Sequence, residues 1–144
     1  MKPETAWKIF FFLLLIVLLV AALPLAVAQS TSKSGPKYDL ANELKLKGTV
    51  EDIKLIGAGD AQDTHLMLRA DKGLVEICLC PAKFLTEMDM KFAKGDKLEV
   101  TGSKAKENAD GTEVILAREI VRGETTLVLR DKQGGAVWTW MMKQ

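Results

Sequence analysis

The residues of this chain best suited to chemistry are Cys78 and Cys80, one position apart in the stretch VEICLCPAKF (residues 75–84), and His65, the single histidine. Three chemistries fit such a set. A cysteine nucleophile needs a base beside it, and His65 is the one imidazole able to serve, but neither cysteine stands in a recognisable nucleophile motif. Catalysis is therefore not expected. A soft-metal site is the second option: Cys78 and Cys80 with His65, or with Met67, suit copper(I) or zinc. Met88, Met90, Met141 and Met142 add thioether donors, although Met88 reads more simply as core. Disulfide formation is the third. Side chains two apart in a regular strand point the same way at roughly 6.5–7 Å, whereas a disulfide needs Cβ atoms near ~4 Å. A Cys78–Cys80 bond thus requires a distorted strand end, which Pro81 allows, or a partner cysteine on another molecule. Without chemistry, the two thiols act as small buried hydrophobes.

These residues must be held by strands. Leu44, Leu46, Gly48 and Val50 alternate with Lys45, Lys47 and Thr49, a period of two, and the apolar phase then slips to Ile53 and Leu55. Such a slip marks a bulge. A second strand covers His65 to Ala70, and Asp71-Lys-Gly73 turns it into a third, Leu74 to Cys80. Leu74, Glu76, Cys78 and Cys80 are expected on one face of that strand, with Val75, Ile77 and Leu79 on the other. Pro81 suits the first turn of a helix, and Phe84, Leu85 and Met88 follow at helical spacing, which predicts a short helix from Pro81 to about Met90. Leu98 to Gly102 is a fourth strand. Asp110-Gly111 signals a hairpin into a fifth, Thr112 to Val121, and Thr125 to Arg130 is a sixth.

The first residues give the address. Lys2 and Lys8 precede an unbroken apolar run from Ile9 to Leu23, then Pro24 and the small-x-small triplet Ala26-Val-Ala28. This is the layout of a signal peptide cleaved after Ala28, with an uncleaved membrane anchor as the rival because the run approaches the ~20 residues that span a bilayer. The expected organisation is a signal peptide or anchor at 1–28, a flexible leader at 29–42, a barrel at 43–130 and a tail at 131–144. Export places the protein in the periplasm or outside the cell, or, if anchored, on the outer face of the inner membrane. Removal of Lys2, Lys8 and Glu4 leaves 18 basic and 18 acidic side chains. That balance lacks the basic excess by which proteins bind nucleic-acid phosphates.

Three strands, a short helix and two or three further strands, with a bulged first strand, describe an all-β, five- to six-stranded Greek-key barrel of the oligonucleotide/oligosaccharide-binding (OB) type. Leu46-Lys-Gly-Thr-Val50, Pro81-Ala-x-Phe-Leu85, Lys94-Gly-Asp-Lys-Leu-Glu-Val-Thr-Gly102, Leu116-Ala-Arg-Glu-Ile120 and Leu129-Arg-Asp131 with Trp138 resemble a group of small exported bacterial proteins with this fold. The resemblance implies the fold and export and carries no catalytic residue across. Where that group ends its third strand Leu-Gly-Pro, this chain has Leu79-Cys80-Pro81.

The expected function is a non-catalytic binding or accessory module for a protein or oligomeric ligand, with His65, Met67, Arg69 and Glu76 on the face of strands two and three. The alternatives are a copper or zinc protein, or a redox protein, built on Cys78, Cys80 and His65, and a single-stranded nucleic-acid binder. The fold allows the last, but strands two and three carry no aromatic residue for base stacking. Trp138 and Trp140 make the tail either an interaction surface or a cover for the barrel.

Overall fold

The computed structural model describes residues 36–143, so the expected signal peptide or anchor at 1–28 and the start of the leader lie outside the described residues. Six strands and one helix follow: β1 (Glu43–Ile56), β2 (Asp63–Ala70), β3 (Gly73–Pro81), α1 (Ala82–Glu87), β4 (Lys97–Glu107), β5 (Glu113–Arg122) and β6 (Thr125–Val128). The strand order is β3-β2-β1-β4-β5-β6, and a parallel pairing of β3 with β5 closes the first five strands into a barrel. The expected OB-like barrel, with its helix between the third and fourth strands, is the observed architecture.

Closure depends on β1 serving two neighbours. Its first half, Glu43 to Thr49, pairs with β4, and its second half, Gly48 to Ile56, pairs with β2. The register shifts between Val50 and Asp52, so Glu51 is the extra residue of a bulge at the place where the apolar phase slips. Gly48 belongs to both ladders, and a Cβ there would stand 2.5 Å from the Arg69 carbonyl oxygen, an approach only glycine permits.

Inward side chains of all five strands fill the interior. Leu66, Leu68, Ile77, Val100 and Ile115 are fully buried, and Phe84 and Leu85 of α1 join the same core. By strand direction, the end of β3, the start of β2 and the start of β4 share the end of the barrel that α1 occupies. The start of β1, the β2–β3 turn and the β4–β5 hairpin share the other.

Three boundaries differ from the sequence expectation. The helix stops at Glu87, because Asp89 takes a positive φ of 50° and the Met90 amide closes onto the Leu85 carbonyl at 2.9 Å. This reversal carries Met90 against the core and leaves Met88, expected in the core, 48 % exposed. Strand β4 runs on past Gly102 to Glu107, since Lys104 and Lys106 find partners on β5 despite their polar appearance. The β6 ladder ends at Val128, where the Leu129 and Arg130 amides both donate to the Arg118 carbonyl, at 2.8 and 3.1 Å.

Candidate functional site

The β2–β3 ladder builds a polar constellation on the outside of the barrel. Met67 pairs with Glu76 and His65 with Cys78. His65 Nδ1 lies 2.7 Å from Glu76 Oε1, and Asn108 Nδ2, from the β4–β5 hairpin, donates to Glu76 Oε2 at 2.6 Å. Both carboxylate oxygens are thereby satisfied, as a residue only 8 % exposed requires. Burial would raise the Glu76 pKa, but the hydrogen bonds from His65 and Asn108 and nearby positive charge hold it below the usual carboxylate value. The acceptor at Nδ1 puts the ring proton there, so Nε2 is the atom left to meet a ligand. The imidazole is largely buried, with 13 % of its side chain exposed.

The four residues expected to form one face divide. His65, Met67 and Glu76 are neighbours and mostly buried. Arg69 turns away to hold Glu51, the bulged residue of β1, in a two-point contact of 2.7 and 2.9 Å on an exposed part of the wall.

The cysteines lie at a second irregularity. Thr64 pairs with Cys80 and His65 with Cys78, so Leu79 is an extra residue on β3. The bulge breaks the alternation that would put both thiols on one face: Cys80 is 1 % exposed and joins the core cluster with Phe84, Leu129 and Trp138, while Cys78 stays half-buried. Both are free thiols. Burial, with the Asp63 charge as a further cause, pushes Cys78 up to about 11 and Cys80 up to about 12. His65 is engaged by Glu76, and among the described residues no three His, Cys, Asp or Glu side chains converge as a metal cage.

Arg130, expected as the last residue of the sixth strand and not as a site residue, is the charged centre beside these thiols. Its guanidinium carbon lies 5.2 Å from the Trp138 ring and 5.6 Å from the Tyr38 ring, and its Nη1 donates to the Gly134 carbonyl at 3.1 Å. Nε is buried without a partner among the described residues. Burial depresses the Arg130 pKa and raises that of Asp63, whose carboxyl feels His65 and then Arg130 as opposing charges. No periodicity announces Arg130, because it follows the last rung of β6 and is placed by the tail's return: Arg130 bridges to Ala136, and Trp138 reaches Phe84 with ring centroids 5.9 Å apart. Trp138 is thus buried at 7 %, whereas Trp140 is 53 % exposed.

Residues 42–127 match the model of the MamS/MamX magnetosome protein family, from the start of β1 into β6. The chain belongs to the MamS/MamX family. A bacterial family is what the resemblance implied, and the match bears on that much of it. No curated protein matches the chain. The MamS/MamX match contains His65, Glu76, Asn108 and both cysteines, and it ends before Arg130 and Trp138.

Proposed function

We propose that this MamS/MamX protein is an exported, non-catalytic binding or accessory module that serves the magnetosome from the periplasmic side of the membrane. The family match carries the magnetosome assignment. Support for binding without catalysis comes from the geometry of the β2–β3 face. Glu76 holds His65 and Asn108 in fixed positions, and the thiols, raised to about 11 and about 12, stay protonated near neutral pH where a cysteine nucleophile must be a thiolate. The partner would meet His65 Nε2 and the β4–β5 hairpin. In a magnetosome-forming bacterium, a tagged copy should fractionate with magnetosomes and, in whole cells, become accessible to protease once the outer membrane alone is opened. Recovery in the cytosol would overturn export, and a periplasmic pool absent from magnetosomes would overturn the assignment.

A soft-metal reading stands second because of one observation. A histidine whose Nδ1 is held by a carboxylate, with a cysteine across the ladder, has the outer-shell arrangement of metal-ligating histidines. Replacing Cys78 and Cys80 with alanine separates the two: a binding module keeps its function and Glu76→Gln impairs it, whereas a metal protein fails with the cysteines.

A further inference from the structure

Among the described residues nothing covers the end of the barrel opposite α1, and its inner wall is apolar. Leu44 and Leu46 of β1, Ala70 of β2 and Val75 of β3 line a cavity of about 570 Å³ with Lys45, Lys47, Asp71, Lys72 and Glu113 around them. Leu44, Leu46 and Ala70 pack against the core from this end without being buried by it. Among the described residues no aromatic side chain lines the opening in the way Phe84 fills the other end. The volume lies within the ~300–1,000 Å³ typical of small-molecule sites, which are found in barrel mouths among other places.

The rim's charges are unequal. Lys45 and Lys47 share one carboxylate, Glu99, at 3.0 and 3.1 Å, and Glu113 is taken by Lys104 at 2.6 Å. Lys72, on the β2–β3 turn, has no ion pair among the described residues. The charged side chains that line the cavity are thus Lys45, Lys47 and Lys72 against Asp71 and Glu113, a surplus of one positive charge above an apolar wall. A ligand complementary to both features has a hydrocarbon body and a single negative charge at one end.

We propose that the mouth of the barrel binds one acyl chain with a monoanionic head, a fatty-acid carboxylate, with the chain against Leu44, Leu46, Ala70 and Val75 and the carboxylate at Lys72. The site is separate from the β2–β3 face and stands or falls independently of it. Dodecanoate titrated into the purified protein below its micelle concentration should bind saturably and shift the methyl resonances of Leu44, Leu46 and Val75 ahead of those of Leu66 and Ile77. Lys72→Glu, an exposed turn substitution, should weaken dodecanoate at least tenfold with unchanged Tm and leave dodecanol binding unchanged. Leu46→Gln should weaken both ligands. The proposal is overturned if dodecanoate does not saturate, if the shifted methyls lie elsewhere, if Lys72→Glu has no effect, or if sedimentation shows the mouth closed by a second copy of the chain.

Discussion

The two ends of this barrel are made from the same five strands and finished in different ways. At one end α1 inserts Phe84 and Leu85, and the C-terminal tail adds Trp138 against Phe84, so the core is sealed by aromatic surface. At the other, among the described residues, Leu44, Leu46, Ala70 and Val75 stay uncovered, with Lys45, Lys47, Lys72, Asp71 and Glu113 around them. The comparison teaches that stability and binding capacity are separated along the barrel axis. Aromatic residues bury far more area than the aliphatic ring, so the sealed end contributes more to holding the fold, and the open end has room for a ligand.

Truncation at the sealed end should have the largest effect. Phe84→Ala should cost about 3–5 kcal/mol in chemical denaturation, against about 1 kcal/mol for Leu46→Ala at the mouth. Equal losses would dissolve the distinction between the ends. In the wall between them, Gly102→Ala would drive a Cβ into the Leu116 carbonyl oxygen. It should cost about 1–3 kcal/mol, as overpacking does. The thiols near the sealed end offer a kinetic comparison. With Cys78 raised to about 11, its alkylation by iodoacetamide at pH 8 should run on the order of a hundredfold slower than that of an ordinary thiol. Urea should restore the ordinary rate.

At the start of β1, Arg118 grips Glu43 through two hydrogen bonds of 2.8 and 2.9 Å, and Tyr38 also donates to that carboxylate. Arg118 first and Tyr38 second hold the Glu43 pKa below its ordinary value. Its folded pKa lies under its unfolded one, so the stabilisation is complete above the unfolded carboxylate value and is lost as pH falls through the lower, folded value. Tm should therefore drop on acidification below about pH 4, more shallowly in Glu43→Gln, which itself should cost only about 1 kcal/mol at neutral pH because the pair is partly exposed. Smallest of all, Lys72→Glu on the open rim should change stability by less than about 0.5 kcal/mol in the same denaturation assay.

Much of the barrel was legible because its signals are local. The apolar slip after Val50 located the bulge of β1, Asp71-Lys-Gly73 located a hairpin turn, and Pro81 fixed where the helix begins. Each depends on a few neighbouring residues and on backbone rules. Met88, the true length of β4 and the site were less legible. Met88 has helical spacing with Phe84 and Leu85, yet the positive φ of Asp89 ends the helix before Met88 can turn inward. Lys104 and Lys106 look like a loop until β5 lies beside them. His65 and Glu76 could be assigned to one face from alternation, but their contact and its third member, Asn108, depend on a hairpin from elsewhere in the chain.

The sequence by itself determined where strands and turns fall, the order that makes a barrel, and the balance of charge in the chain after Ala28. Those follow from side-chain periodicity and from the backbone freedoms of glycine and proline. Tertiary structure decided the rest: the closure of β3 on β5, the burial of Cys80 by the extra residue Leu79, the stacking of Arg130 between Tyr38 and Trp138, and which end of the barrel stays open. The physical reason is that register and burial are relations between distant segments, and a one-residue shift on one strand has meaning only against the strand beside it.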